Sequence, residues 1–344
     1  MEPVIKLVGA PQSPYSRKMR AALRYRRIPY QWVRQYSAAS QSQPDMKIRQ
    51  MIPVLWFSHE DTSQDRAMLD STFQLKALEE SHTQRSLICP DPVVMFFNLL
   101  MEDFADEWLT KAMFHYRWSY QKDTQKAATI LPLEVKWDQS DAQALELQND
   151  FGQLQTSRLG VVGSNEITKP LIEESFKNIL LSLNDMLSTQ PFVLGHRPGA
   201  ADFALYGQLV CLALFDPTSS HLTLELTPRV YAWVEAMEDT SGEEVDDHGW
   251  LNRDDIHHKW GSLLGEIGRS YVPYLLANEQ ALKNHQDEFQ CLIDGRLWQQ
   301  KPFLYQGKCL HWLREAFNHL NDKDKQHAFS ILKEFHCEAL FEMQ

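Results

Sequence analysis

The sequence predicts a mixed α/β domain, then an all-helical domain, and finally a helical extension at the C-terminal end. Residues 1–82 alternate short apolar strands with amphipathic helices, an order that suits a small mixed sheet with helices on its faces. Residues 93–237 show long helical periodicity and nothing that demands a strand. Residues 238–344 begin with an acidic stretch and then return to helical spacing. We therefore expect three parts with these bounds.

Each element of the first domain has its own local signal. Apolar spacing predicts a helix over residues 14–27, and it ends at Ile28 because the residue before a proline disfavours the helical conformation. A second helix is predicted over residues 72–80. Strands are predicted at residues 4–8, 30–33, 54–57 and 67–69.

The helical part is predicted from apolar residues that recur at helical spacing. In residues 92–120 they alternate with Glu102, Asp103, Asp106 and Glu107. Further helices are predicted at residues 172–187, 200–214, 228–237, 256–278 and 309–320. In the extension, Phe303, Tyr305, Gln306 and Trp312 indicate a second packed surface.

Composition excludes several classes of protein. The net charge of −12 argues against a nucleic-acid partner, since no basic groove or arm is present. The five cysteines are widely spaced, with no C-x-x-C pair, which favours reduced thiols over a disulfide framework. The longest apolar run, residues 93–101, is too short to span a bilayer. A strand is reached by Val4, leaving no room for a signal peptide, so we expect a cytoplasmic protein without a membrane partner.

Metal ligation is not expected. His257 and His258 are adjacent and so point in different directions on a helix, and no pair of histidines at i, i+4 appears. A solvated acidic loop accounts better for the carboxylates beside them. Neither a phosphate-binding glycine-rich loop nor a G-x-S-x-G segment is present.

The strongest local signal surrounds Pro53 and the Asp70-Ser71 pair. Pro53 lies between a polar turn and an apolar strand, where it cannot donate a ladder hydrogen bond. A cis Ile52–Pro53 bond would explain the position and would turn the Ile52 backbone towards an open site; the alternative is a trans proline that starts an edge strand. Asp70 and Ser71 stand at a predicted helix start, where free N–H groups suit a small anionic group, or they are an ordinary cap.

Three patterns together resemble the glutathione S-transferase superfamily, over residues 1–237. They are Ser13-Pro14-Tyr15-Ser16, then Ile52-Pro53-Val54-Leu55 with Asp70-Ser71, and the later segment Gly195 to Tyr206. The extension and the helix Met101 to Trp108 are similar to long bacterial members. The resemblance implies a thioredoxin-like first domain, an all-helical second domain, a homodimer, and glutathione as co-substrate.

The resemblance also implies roles for two serines. Ser13 matches the residue whose hydroxyl contacts the glutathione sulfur, and a helix N-terminus lowers the pKa of a thiol held there. Ser16 is the second choice for this contact. The alternative is structural, because serine followed by proline is also what a plain helix cap looks like.

The other implied contacts position the tripeptide. Ile52 offers its backbone N–H and C=O to the cysteinyl part of glutathione, beside a cis Pro53. Ser71 holds the γ-glutamyl carboxylate, and Asp70 takes a position where the family often has glutamate or glutamine. Trp108, His115 and Tyr116 are candidates for a hydrophobic pocket that receives the electrophile, although aromatic residues at helical spacing are more often core.

The later segment is interpreted as structural. The family usually has serine or threonine at the helix cap and aspartate three residues later, where the two side chains accept from free backbone N–H groups. Here Gly199 stands at the cap, and Asp202 is the aspartate. We expect no catalytic acid here.

The predicted function is transfer of the glutathione thiolate to a hydrophobic electrophile, with catalysis from proximity and a lowered thiol pKa. The alternative is a non-catalytic member that uses the same fold as a binding or regulatory scaffold. A thiol–disulfide oxidoreductase is disfavoured, because residue 13 is serine and mixed-disulfide chemistry needs a protein thiolate.

Overall fold

The N-terminal domain contains a four-stranded mixed sheet. A computed structural model of the chain describes residues 3–44 and 51–342. The strand order is β2-β1-β3-β4; β1 pairs with β2 in parallel and with β3 antiparallel, and β3 pairs with β4 antiparallel. The strands are β1 (Val4–Gly9), β2 (Gln31–Arg34), β3 (Val54–Ser58) and β4 (Arg66–Met68).

Helices α1 (Pro14–Tyr25) and α2 (Ser71–Ser81) accompany this sheet. Ser13 caps α1, and Pro14 occupies its first turn, where the missing N–H is no loss. Asp70 caps α2. The predicted elements of this domain are therefore confirmed, with ends that differ by a few residues.

The second domain is all-helical, as predicted. Its helices are α3 (Pro92–Phe104), α4 (Thr110–Ser119), α5 (Gln121–Val135), α6 (Asp141–Thr156), α7 (Lys169–Met186), α8 (Ala200–Leu209), α9 (Pro217–Leu226) and α10 (Pro228–Met237). A π-helical turn, Ala105–Leu109, joins α3 to α4, and a second one, Val210–Phe215, follows α8. The predicted long helix over residues 92–120 thus contains a local widening at its acidic middle.

In its described part, residues 238–342, the extension carries five helices, α11 (Ile256–Lys259), α12 (Gly261–Glu266), α13 (Val272–Lys283), α14 (Leu304–Asn318) and α15 (Asp322–Glu334). The extension also has a π-helical turn at Ile267–Tyr271 and 3₁₀ turns at Arg253–Asp255 and Glu338–Leu340. Further 3₁₀ turns lie at Ala38–Ser42 and Thr62–Gln64 in the first domain and at Leu159–Val162 in the second.

The extension also contains a β-hairpin, which the prediction of a purely helical segment missed. Strand β5 (Phe289–Ile293) pairs antiparallel with β6 (Arg296–Gln300). The two residues between them, Asp294 and Gly295, have φ angles of 52° and 72°. Two positive φ angles in a two-residue loop match the twist of the flanking strands, and Asp-Gly is a strong sequence signal for it.

The extension shares one hydrophobic core with both domains. Trp108 of the first π-helical turn packs with its ring centroid 5.1 Å from Trp298 of β6 and 5.4 Å from Tyr274 of α13. Phe96 of α3 lies 5.4 Å from Phe317 of α14. Residues 238–344 therefore contribute to the fold rather than form a loose tail. None of the helices in the two described ranges combines the length and apolar character that crossing a bilayer requires.

Candidate functional site

Strand pairing brings the three sequence signals to one edge of the N-terminal sheet. Val8, near the end of β1, pairs with Val54 at the start of β3. Met68, at the end of β4, pairs with Leu55. Because β3 begins where its two antiparallel neighbours end, Pro53, the start of α1 and the start of α2 lie at the same edge. We call Ser13, Ile52, Pro53, Asp70 and Ser71 the edge site.

Ser13 is half-buried at the start of α1, with extended backbone angles. Its Oγ accepts a hydrogen bond from the Ser16 N–H at 3.4 Å. This bond uses the hydroxyl only as an acceptor, so the hydroxyl proton remains available to a further group. Ser13 is therefore both a helix cap and a potential donor.

Ser16 lies deeper than Ser13. Its side chain is completely buried, and its Oγ accepts from the Ala10 N–H at 3.4 Å. A Cβ placed on Gly9 would lie 2.4 Å from this Oγ, so the serine sits directly against the end of β1. The Tyr15 hydroxyl donates to the Asp106 carbonyl at 2.8 Å and links α1 to the first π-helical turn.

The Ile52–Pro53 peptide bond is cis, as the sequence predicts. The Pro53 carbonyl accepts a hydrogen bond from Gln74 Nε2 at 2.8 Å, and the same amide donates to the Met68 carbonyl at 2.8 Å. Gln74 is completely buried on α2 and ties the edge of the sheet together. Sequence reasoning missed Gln74, since a glutamine within an amphipathic helix carries no distinctive signal. Arg49 and Gln50, which precede this bond, lie outside the described residues.

Asp70 has a φ angle of 74°, a region that residues other than glycine rarely occupy. Its Oδ1 accepts from the Thr72 N–H at 3.1 Å. Ser71, the first residue of α2, is 5% exposed, and its hydroxyl makes no hydrogen bond with any described residue. An aspartate held in a strained conformation, beside a hydroxyl that no described residue pairs with, is typical of a binding position.

The extension reaches this edge of the sheet. The Tyr305 hydroxyl, near the start of α14, donates to Asp70 Oδ2. The Trp312 ring meets Phe73 of α2 edge-on, with centroids 4.9 Å apart. Gln306 Nε2 donates to the Glu107 carbonyl at 3.0 Å. Tyr305, Gln306 and Trp312, predicted as part of a packed surface, therefore pack against the edge site and the first π-helical turn.

Four acidic side chains lie behind the site on α3 and the first π-helical turn. Glu102 Oε1 and Asp106 Oδ2 lie 2.7 Å and 2.6 Å from Nζ of the buried Lys18. Burial raises the pKa of Asp106 to about 6, although Lys18 acts in the opposite direction. Burial also raises the pKa of Asp103 to about 7 and that of Glu107 to about 8. Burial lowers the pKa of Lys111 to about 7.

The structure places the three pocket candidates in the interior. Trp108, His115 and Tyr116 are each at most 3% exposed. Trp108 Nε1 donates to Ser175 Oγ at 2.8 Å, and His115 Nδ1 lies 2.7 Å from Ser164 Oγ. These three side chains are packed against neighbouring helices, and the extension covers Trp108.

None of the five cysteine thiols is activated. All five are free. Burial raises the pKa of Cys89 and of Cys291 to about 11 and that of Cys337 to about 12. Burial likewise raises the pKa of Cys211 and of Cys309. A raised pKa keeps a thiol protonated and so lowers its nucleophilicity at neutral pH.

The segment at the start of α8 is structural, as the sequence predicts. Asp202 Oδ2 accepts from the Gly199 N–H at 2.9 Å, and Oδ1 accepts from the Val193 N–H at 2.6 Å. Asp202 is completely buried and holds the preceding loop onto the helix.

The sequence matches two family models. The model of the glutathione S-transferase N-terminal domain matches residues 7–86, and that of the glutathione S-transferase C-terminal domain matches residues 143–236. The chain belongs to the glutathione S-transferase superfamily. This confirms the family and the architecture that the sequence motifs indicate.

Several solved structures resemble the chain at low identity. The Tau class glutathione S-transferase of mango, Mangifera indica, is 19% identical, with 69% of this chain and 90% of that chain covered and a TM-score of 0.42. The beta-etherase LigF of Sphingobium sp. strain SYK-6 is 19% identical, with coverage of 68% and 94% and a TM-score of 0.47. A glutathione transferase family member of Pseudomonas fluorescens, with two glutathione bound, is 17% identical, with coverage of 69% and 92% and a TM-score of 0.41. No curated protein matches the chain.

Proposed function

We propose that this protein binds glutathione at the edge site and transfers its thiolate to a hydrophobic electrophile. The observation that carries the proposal is the pairing of β1, β3 and β4, which brings Ser13, Ile52–Pro53 and Asp70-Ser71 to one edge of the sheet. Membership of the superfamily supports the same ligand.

The γ-glutamyl part of glutathione carries a carboxylate and an ammonium group. In the proposed complex, the Ser71 hydroxyl and the free N–H groups at the start of α2 receive the carboxylate, where the helix dipole favours negative charge. The Asp70 carboxylate receives the ammonium group. The Ile52 backbone pairs with the cysteinyl part, next to the cis bond.

The sulfur then lies near the start of α1. The Ser13 hydroxyl accepts from the Ser16 N–H and still has its proton to donate to a thiolate. Such a bond, together with the helix dipole, lowers the pKa of the bound thiol. The thiolate attacks the electrophilic carbon, and a sulfur–carbon bond forms while the bond from that carbon to the leaving group breaks, the leaving group departing into solvent with the electron pair, as chloride does from a chlorodinitrobenzene. No covalent enzyme intermediate is formed.

The second candidate function is a non-catalytic scaffold that retains the glutathione site. It is favoured by one observation, the burial of Trp108, His115 and Tyr116, because the electrophile then has to be received by other side chains. A homodimer is a proposal that rests on the family alone, and a cytoplasmic location is a proposal that rests on the widely spaced cysteines.

Calorimetric titration with glutathione tests the proposed site. We expect wild-type protein to bind at micromolar to millimolar glutathione and Ser71→Ala to weaken binding about tenfold or more, since hydrogen bonds to charged groups contribute roughly 1.5–3 kcal/mol. Ser81→Ala, at the exposed far end of the same helix, is the matched control and should bind like wild type. Failure of the wild type to bind millimolar glutathione contradicts the proposal.

If the wild type binds, a conjugation assay separates the two candidate functions. Turnover of a chlorodinitrobenzene supports the transferase. Binding without turnover of any electrophile in a broad panel supports the scaffold.

A further inference from the structure

Tyr305 connects the edge site to a part of the chain that neither family model covers. The models match residues 7–86 and 143–236, whereas Tyr305 lies on α14 of the extension. Its hydroxyl donates to Asp70 Oδ2, across a separation of 235 residues in sequence. A residue of the extension is thus in direct contact with a residue of the proposed glutathione site.

Among the described residues, the two carboxylate oxygens of Asp70 each receive one donor. Oδ1 accepts from the Thr72 N–H at 3.1 Å, and Oδ2 accepts from the Tyr305 hydroxyl. An ionised carboxylate has about four acceptor positions, so two such bonds fix its orientation and leave capacity for a ligand. This matters at Asp70 because its backbone is held at a φ of 74°, which its neighbours have to enforce.

Tyr305 is itself held by a preorganised helix start. Asn278 of α13 accepts from the Phe303 N–H at 2.7 Å and donates to the Phe303 carbonyl at 3.1 Å, which fixes the chain at the entry to α14. The Tyr305 ring lies 5.9 Å from Trp312, which in turn packs on Phe73. The hydrogen bonds between Asn278 and Phe303 and the contact with Trp312 therefore hold the Tyr305 hydroxyl beside Asp70.

We propose that Tyr305 is a positioning residue of the glutathione site, which orients the Asp70 carboxylate to receive the γ-glutamyl ammonium group. This inference rests on the proposed function. Tyr305 acts through Asp70 and needs no contact with glutathione. Because these hydrogen bonds fix the Asp70 rotamer before glutathione binds, the free energy of binding does not include a cost for ordering that side chain.

The test is titration of wild type and Tyr305→Phe with two ligands, glutathione and an analogue that lacks the γ-glutamyl amino group, glutaryl-cysteinyl-glycine. We expect Tyr305→Phe to weaken glutathione binding by roughly 5–20-fold, the effect of one supporting hydrogen bond. Binding of the analogue should change less than about twofold, because it has no ammonium group for Asp70 to receive.

Two further variants complete the design. Tyr36→Phe is the matched control, because Tyr36 is exposed and its hydroxyl makes no hydrogen bond with a described residue; it should bind both ligands like wild type. In an Asp70→Asn background, Tyr305→Phe should add little, since the two residues act as one unit. Thermal unfolding of each variant checks that the fold is retained.

The outcomes separate this inference from the proposed function. Equal losses for glutathione and the analogue mean that Tyr305 only supports the fold, and unchanged glutathione binding means that it does not position Asp70. Either result overturns the inference while glutathione binding by the wild type stands. Absence of glutathione binding by the wild type overturns both.

Discussion

Lys18 of α1 and Asp106 of the first π-helical turn form an ion pair in the interior, with Nζ 2.6 Å from Oδ2 and the lysine side chain completely buried. Glu102 completes the arrangement at 2.7 Å and also accepts from Thr72 Oγ1 at 2.9 Å. Burial alone would lower the pKa of Lys18, but Asp106 and Glu102 outweigh it and raise that pKa above its usual value. The Lys18 ammonium group thus links α1 to α3 and the first π-helical turn. Glu102 extends the link to Thr72 at the start of α2.

Lys18→Met should destabilise the protein by about 3–5 kcal/mol at pH 7, because it leaves buried carboxylates without a counter-charge. The loss should be smaller at pH 5. The folded-state pKa of Asp106 is already raised to about 6, and without Lys18 it rises further, so the folded variant binds more protons than the unfolded chain below that pKa. Urea denaturation at both pH values measures the effect.

The control for this prediction is Lys76→Met. Lys76 is exposed on α2, so the change in the free energy of unfolding should stay within about 0.5 kcal/mol. If the loss in the free energy of unfolding of Lys18→Met does not depend on pH, then Asp106 does not take up a proton when the Lys18 charge is removed.

Ser13→Ala should slow conjugation and raise the pKa of the bound glutathione thiol, as the thiolate loses a donor. The rate deficit should shrink as the pH rises above that thiol pKa. The thiolate absorbance of bound glutathione, followed over pH, reads the pKa directly. Loss of the cap should also cost about 0.5–2 kcal/mol of stability.

Ser140→Ala separates capping from chemistry. Ser140 caps α6 with its Oγ also 3.4 Å from a backbone N–H, but it belongs to the second domain. It should lower stability by a similar amount without changing the thiol pKa. If Ser13→Ala behaves in the same way, then Ser13 is a cap only.

Glu107→Gln should make stability less sensitive to pH between 5 and 7. Burial raises the pKa of Glu107 to about 8, so the folded protein keeps a proton that the unfolded chain releases above its ordinary pKa. Stability therefore falls as pH rises, by at most about 1.4 kcal/mol per pH unit from one such group. Denaturation midpoints at pH 5, 6 and 7 should change less in the variant.

The pH window of that measurement matters, because burial lowers the pKa of Lys111 to about 7. Above that pH the folded protein binds fewer protons at Lys111 than the unfolded chain does, so this group makes stability rise with pH, against the trend from Glu107. Glu60→Gln, at an exposed carboxylate, should leave the wild-type slope unchanged. Identical slopes for wild type and Glu107→Gln would rule out a protonated Glu107.

Trp298→Ala should cost about 3–5 kcal/mol and lower the unfolding midpoint of the whole chain, because this buried ring packs on Trp108 within a core that we expect to unfold in one transition. Trp137→Ala is the control: Trp137 is 64% exposed and contacts the Arg34 guanidinium at 3.9 Å, which contributes about 0.5–1 kcal/mol. A separate early transition in Trp298→Ala would mean that the hairpin is not part of the common core.

The sequence was sufficient for features that depend on local chemistry. The caps at Ser13 and Asp70 and the approximate bounds of α1, α2 and α10 follow from capping preferences and apolar spacing. The cis Ile52–Pro53 bond is favoured over a trans bond by the resemblance of the three motifs to the family. The hairpin at Asp294-Gly295 has an equally local signal, but it lies between the helices predicted at residues 256–278 and 309–320, and no element is predicted for that stretch.

The remaining features depend on contacts between distant segments. Nothing near Ser16 in sequence indicates that its hydroxyl lies against Gly9, and nothing near Tyr305 indicates Asp70 as its partner. Trp108, His115 and Tyr116 have a spacing that is more often found in a core but also fits a pocket, and contacts with other helices, including the extension at Trp108, decide their burial. Such relationships come from tertiary packing, which a local pattern does not specify.

The pairing of Tyr305 with Asp70 also has a consequence for synthesis of the protein. At roughly 5–20 residues per second, the ribosome needs on the order of ten to fifty seconds to proceed from Asp70 to Tyr305, which are 235 positions apart. During that interval the residues of the N-terminal sheet have been synthesised, but Tyr305 is not yet present to bond to Asp70. The complete arrangement around Asp70 is therefore a late product of translation, formed only once the C-terminal helices leave the ribosome and dock.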